Sequence, residues 1–193
     1  MIRFLAAALL AAALGAACGK REAPQFQLTD VTGASFGKAL DLTDHNETRR
    51  TLADFKGKVV VIFFGFTHCP DACPTTMVEL AKVARDLGPD AAHMQVLFVT
   101  VDPERDTPNV LRQYVPSFHP GFLALYGTAE ETARTAKEFK VYFQKQPLPG
   151  GNYSMDHSAG TFVLDREGRL RLFAQYGAGA QALLHDIRLL LTR

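Results

Sequence analysis

KVVVIFFGFTHCPDACPT, residues 58–75, holds two chemical statements in one run. The first half, KVVVIFFGF at 58–66, is a nearly unbroken series of β-branched and aromatic residues. Such a run without polar alternation predicts a strand buried on both faces. The second half places Cys69 and Cys73 four residues apart, each followed by proline. The chain has only three cysteines, and two of them stand here. They meet the chain where a buried strand gives way to a helix, the end of an α/β sheet that carries chemistry.

Working outward, the next segment has Met77, Leu80, Ala84 and Leu87 on one helical face, and Gly88-Pro89 ends it. QVLFVTV at 95–101 is a second buried strand, broken by Asp102-Pro103. TPNVLRQYVPSF at 107–118 opens a helix with Thr107 as cap and Pro108 at the first helical position. AEETARTAKEFKV at 129–141 is a helix with acids early and lysines late, matching the helix dipole. QPLPGGNYSMDHSAG at 146–160 reads as a long Pro/Gly-rich loop, and loops of that length are often functional. TFVLD (161–165) and LRLFAQY (170–176) form a hairpin, and Leu183, Ile187 and Leu190 line a closing helix. Strand, helix, strand, helix, hairpin and helix is the order of a thioredoxin-like α/β fold, a central mixed sheet flanked by helices.

With 193 residues, 47% hydrophobic and 21% charged, the chain suits one soluble domain with a real core. A net charge of +1 implies no basic surface for nucleic acid. The N-terminus, MIRFLAAALLAAALGAAC, has Arg3 and then an apolar run from Phe4 to Ala17. That is the pattern of a secretory signal, and it is short for a membrane-spanning helix, which needs about 20 apolar residues. Leu14-Gly15-Ala16-Ala17-Cys18 resembles a bacterial lipoprotein processing site, although the leucine stands four before the cysteine where three is usual. Lipidation at Cys18, simple cleavage and an uncleaved anchor are the alternatives. The expected organisation is a signal at 1–18, a polar tether at 19–30 and one domain at 31–193. An extracytoplasmic (periplasmic-side) domain that keeps two cysteines suits an oxidising compartment.

Cys69 and Cys73 read in two ways. A helix start favours thiolate over thiol, and thiolate serves both metal binding and disulfide exchange. The usual exchange motif has two intervening residues, and here there are three, Pro70, Asp71 and Ala72. Residues four apart share a helical face, so two soft sulfurs can hold one Cu(I) or zinc ion, while a disulfide also remains feasible. Two thiolates leave an ion short of ligands. The candidate third is His157, just before the TFVLD strand, where thioredoxins place a cis-proline and this chain has Ser158-Ala159-Gly160. Asp156 reads as a turn residue able to orient His157, and Met155 as a packing residue. His68 and Asp71 read as non-ligands of the turn, Asp102 and Asp106 as capping residues, with Asp102 also placed to support the site. His45, His93, His119 and His185 lack ligand spacing and are expected at the surface, while Phe63, Phe64 and Phe66 are expected in the core.

FTHCPDACPT, VDPERDTP (101–108) and DHSAGTFVLD (156–165) together resemble the Sco/SenC family of copper-binding, thioredoxin-like proteins, over roughly residues 24–190. The resemblance implies one copper, Cu(I) or Cu(II), per chain, held by Cys69, Cys73 and His157. It implies a membrane-tethered domain that serves the copper A-bearing subunit of cytochrome c oxidase, as a copper chaperone or as a thiol-disulfide reductase using Cys69 and Cys73 as its redox pair. Other periplasmic copper chaperones or thiol reductants are further implied partners. The chain departs from the family at 39–58, which lacks the common run before the strand, and in its short N-terminal segment. A peroxidase of the same fold is disfavoured in its glutathione-peroxidase form, because the chain has no tryptophan.

Overall fold

The computed structural model describes residues 25–192. The signal and the first part of the tether lie outside them. The strands are β1 (Thr29–Asp30), β2 (Asp41–Asp44), β3 (Arg49–Thr51), β4 (Val59–Gly65), β5 (Met94–Thr100), β6 (Leu123–Tyr126), β7 (Phe143–Pro147), β8 (Tyr153–His157), β9 (Gly160–Leu164) and β10 (Leu170–Gln175). The helices are α1 (Ala72–Leu87), α2 (Pro108–Tyr114), α3 (Ala129–Glu138) and α4 (Ala180–Leu191). One sheet runs in the order β1-β10-β9-β4-β5-β6-β2-β3, and β7 and β8 pair separately. β4, β5 and β6 are parallel neighbours, and β9 joins β4 antiparallel. This is the mixed α/β architecture that the order of elements predicts.

β4 and β5 lie at the centre, and all seven residues of each are buried. That is why neither shows a polar alternation. Phe63, Phe64 and Phe66 are core residues, as expected, with Phe64 against Phe139 and Phe162. Burying a side chain of this size stabilises the fold by about 1.5–3 kcal/mol before the ordering cost. Met77, Leu80, Ala84 and Leu87 form the buried face of α1, and Leu183, Ile187 and Leu190 that of α4; the two helices pack together. Thr107 caps α2 by accepting from the Val110 N–H, with Pro108 behind it.

Two expectations change. QPLPGGNYSMDHSAG is not a free loop: its two halves belong to the β7–β8 hairpin, with Pro147 opposite Tyr153 and Phe143 opposite His157. The turn chemistry of LPGG is local to the tip, and the flanking polar strands hid the pairing. The fold also begins before residue 31. Leu28 is buried, the Gln27 and Leu28 N–H groups donate to the Asp186 carboxylate at 2.8–3.0 Å, and β1 pairs with β10. The stretch 39–58 becomes the β2–β3 hairpin, added to the far edge of the sheet beside β6. No helix among the described residues is long and apolar enough to cross a membrane.

Candidate metal and thiol site

β4 delivers the chain to the site at Gly65. A side chain at Gly65 would put its first carbon 2.9 Å from the Cys73 sulfur, 2.9 Å from Phe63 and 3.0 Å from Phe98. The missing side chain is therefore the seat of the Cys73 sulfur, the close approach that a glycine inside a strand often marks. Phe66, Thr67 and His68 lead to Cys69, and α1 begins at Ala72. Asp71 occupies the cap position of α1 without capping it; its side chain accepts instead from the Thr75 hydroxyl at 3.3 Å. The Cys69 sulfur takes over, accepting from the Cys73 N–H at 3.4 Å. The motif cysteines are thus bound to each other through the first turn of the helix, where free N–H groups attract a sulfur's lone pairs.

Both cysteines are free thiols, Cys73 fully buried and Cys69 partly exposed. Burial pushes the Cys73 thiol well above its ordinary value, and the Cys69 neighbour adds to this; a hydrogen bond from the Phe66 backbone opposes it only in part. The expectation that a helix start lowers the pKa of a cysteine fails for Cys73, because desolvation outweighs the helix N-terminus once the sulfur is enclosed.

His157 ends β8, and its Nε2 lies 3.8 Å from the Cys73 sulfur. Its Nδ1 stands 3.1 Å from the Ser158 carbonyl oxygen. A carbonyl only accepts, so Nδ1 carries the hydrogen and Nε2 turns its lone pair to the sulfur. Burial pushes the imidazole below its ordinary value, with the Ser158 carbonyl and the Asp156 charge working the other way. The ring stands edge-on to Phe66, 5.7 Å between centroids. A neutral imidazole and a buried thiol therefore face each other at the carboxyl end of the central strands. Met155, two residues back on β8, is buried in the hydrophobic core. Among the described residues, no three His, Cys, Asp or Glu side chains already enclose a common point. Cys73 and His157 are together; Cys69 has its sulfur turned to the helix N–H.

Asp102 and Asp106 are more than capping residues. Both are 1% exposed. Asp106 accepts from the Thr67 N–H at 3.1 Å, the Thr67 hydroxyl at 2.5 Å and the Thr100 hydroxyl at 2.6 Å, so it fastens the cysteine loop to β5. Burial pushes its carboxyl up, and the hydrogen bonds from Thr100 and Thr67 pull it back. Asp102 accepts from Arg105 at 2.5 Å and from the Tyr153 hydroxyl at 2.9 Å. Sequence spacing could not show this, because Thr67 lies 39 residues from Asp106 and Tyr153 lies 51 from Asp102. Sequence reasoning also missed Tyr114, whose hydroxyl is buried without a partner and whose proton is held chiefly by burial.

The remaining histidines divide. The His68 side chain is 54% exposed, with Nδ1 3.2 Å from the Thr67 hydroxyl and 4.0 Å from Asp106. His93 and His185 are exposed, and His119 is partly so. His45 is a correction: it is 5% exposed, and its Nδ1 accepts from the Ala124 N–H at 3.0 Å, closing the junction of β2 and β6. A hollow of about 620 Å³ beside Phe36, Lys38, Arg169 and Arg171 is lined by none of the cysteine-site residues; a single ion needs no such volume.

Known proteins share this fold. The sequence pattern of the SCO1/SenC family matches residues 29–192. The mitochondrial Protein SCO2 homolog of Bos taurus is 38% identical over 190 residues, covering 93% of this chain and 70% of that protein. A copper-bound structure of ScoI from Bradyrhizobium japonicum superposes with a TM-score of 0.75 at 38% identity, covering 81% of this chain and 100% of that one. An apo Sco1 solution structure from Thermus thermophilus gives 0.77 at 38% identity, over 86% and 98% of the two chains. With a match across nearly all of its folded residues, this chain belongs to the SCO1/SenC family.

Proposed function

We propose that the protein carries one copper ion as cargo between Cys69, Cys73 and His157, and passes it to the copper A-bearing subunit of cytochrome c oxidase. The observation that carries this reading is the Nε2 lone pair of His157 facing the Cys73 sulfur at 3.8 Å. Two thiolates and an imidazole are a soft donor set suited to copper. Cys69 completes it by turning its sulfur from the α1 N–H toward the pair. Copper must displace the protons of the cysteines, so uptake is linked to pH. Relatives at 38% identity include a copper-bound one, which supports the same cargo here. The reading places the domain on the extracytoplasmic face, tied to the membrane through its N-terminal segment.

A second reading, thiol-disulfide reduction of the target's cysteines, is favoured by one observation. Cys69 is reachable and Cys73 lies beneath it. The Cys69 thiolate would attack the target disulfide, forming a mixed disulfide and releasing one target thiolate. Cys73 would then attack the Cys69 sulfur, its proton going to the second target thiolate as that group leaves, so that a Cys69–Cys73 disulfide remains.

Copper titration of the reduced protein, with its absorption spectrum, tests both. We expect one copper per chain and a strong sulfur-to-Cu(II) band, both lost in His157→Ala while thiol exchange is retained. No stable copper in the wild type, with normal exchange, would refute the carrier reading and leave the reductase.

A further inference from the structure

The hairpin that carries His157 is held from its opposite end. β7 and β8 pair with each other and with no strand of the main sheet. A two-stranded ribbon by itself is marginal in water. Along β8, Tyr153, Met155 and His157 alternate with Ser154 and Asp156, so they share one face. From Tyr153 to His157 is about 13 Å of extended chain. Met155 packs in the middle, and at the far end Tyr153 meets the loop after β5. Its hydroxyl donates to Asp102 at 2.9 Å, and its backbone carbonyl accepts from Arg105 Nη1 at 2.7 Å. The Arg105 guanidinium lies 3.7 Å from the centroid of the Tyr153 ring, and Lys145 of β7 lies 4.6 Å from it. Arg105 is itself fixed by Asp102 at 2.5 Å, and Lys145 by Glu104.

The same short loop holds the other half of the site. Asp106, one residue beyond Arg105, grips Thr67 of the cysteine loop through its backbone N–H and its hydroxyl. Residues 102–106 thus have two arms, one on the hairpin and one on the cysteine loop, and the two arms meet again where Cys73 faces His157.

We propose that Arg105 and Tyr153 are positioning residues, a clamp that sets His157 at its distance from Cys73 without touching the cargo. This rests on the copper reading above for its functional consequence, but the clamp itself is a property of the metal-free protein. Arg105→Gln removes the charged donor to Asp102 and to the Tyr153 carbonyl; Tyr153→Phe removes only the hydroxyl and keeps the ring.

The experiment is amide hydrogen exchange on the reduced, metal-free protein, followed by copper titration of the same samples. In Arg105→Gln the amides of β7 and β8 should exchange about tenfold faster or more, the loss expected for charged hydrogen bonds, while those of β4 and β5 keep their protection. Tyr153→Phe should show the same pattern to a smaller degree. Copper affinity should fall about 10–100-fold in Arg105→Gln, as for outer partners of metal ligands. Hairpin exchange within twofold of wild type in both variants would overturn the clamp. Should Arg105→Gln lose its fold, Tyr153→Phe decides alone. Wild type that takes up no copper would overturn the copper reading, and the exchange rates of the metal-free variants would then decide the clamp by themselves.

Discussion

Gly65→Ala tests whether the seat of the Cys73 sulfur is real. The added methyl would stand 2.9 Å from that sulfur, 2.9 Å from Phe63 and 3.0 Å from Phe98. Heavy atoms prefer about 3.5–4.0 Å, so each contact is short by at least about half an ångström. None of the three neighbours can escape to solvent: Phe63 is 1% exposed, and Phe98 and Cys73 are 0%. They sit on β4, β5 and α1, so relief in one direction tightens another. Overpacking of this kind costs about 1–3 kcal/mol. Gly65 does not have a positive φ, so alanine meets no backbone strain and gains about 0.4–1 kcal/mol from a stiffer unfolded chain. The net expectation is about 1–2 kcal/mol of destabilisation, or roughly 2–8 °C in Tm for a domain of this size. Denaturant unfolding under reducing conditions measures it. The informative step is a double-mutant cycle with Cys73→Ala, which removes one of the three clashes. The cost of Gly65→Ala should then shrink by about 0.5–1 kcal/mol, because the two positions touch. Additivity within about 0.3 kcal/mol would refute the packing argument, and with it the claim that β4 ends in glycine to admit the sulfur.

Two more outcomes follow from the same geometry. Iodoacetamide at neutral pH should modify Cys69 well before Cys73, since Cys73 is fully buried and its thiol is pushed up, and mass mapping after partial reaction would read the order; equal rates would contradict the enclosure of Cys73. Burial holds His45 below the ordinary histidine value, so the unfolded chain binds its proton first and stability contributed by this residue is present above about pH 6.5 and lost as pH falls below it, by at most about 1.4 kcal/mol per pH unit. His45→Asn keeps an acceptor for the Ala124 N–H and should flatten that part of the profile, measured as the difference from wild type between pH 7 and 5; an unchanged profile would refute it.

The parts of this protein that could be read in its sequence are those whose cause is local. Seven consecutive buried residues in β4 show themselves as VVVIFFG, and the α1 face follows from the spacing of Met77, Leu80, Ala84 and Leu87. Thr107-Pro108 states a helix start within two residues. His157 was legible only beside the cysteine motif and the downstream strand, as a third donor of the right kind. The rest depends on partners far along the chain. His45 is buried because Ala124, 79 residues away, offers its N–H. Gln27 and Leu28 join the fold through Asp186, nearly 160 residues on. The β7–β8 hairpin stayed hidden because FQKQP is polar and largely exposed, so it lacks the apolar alternation that marks a half-buried strand. The Cys73 acidity went against expectation for a related reason: helix position is visible in a sequence, but enclosure by Gly65, Phe63 and Phe98 is not.

The two ends of the main sheet have a consequence for how the molecules keep apart. An unpaired strand edge is a template for adding another chain, and long flat apolar edges seed aggregates. Here one edge is β1, only two residues long, and the other is β3, three residues that read Arg49, Arg50 and Thr51. Arg49 is ion-paired to Asp41 and Glu131, and Arg50 to Asp44, so the charges are anchored along that margin. An approaching strand would have to strip water from two fixed guanidinium groups for at most three residues of pairing. The long apolar strands that make the core are therefore shielded from strand addition on both sides, and crowded solutions of this protein should resist fibrillar self-association as long as these short margins stay in place.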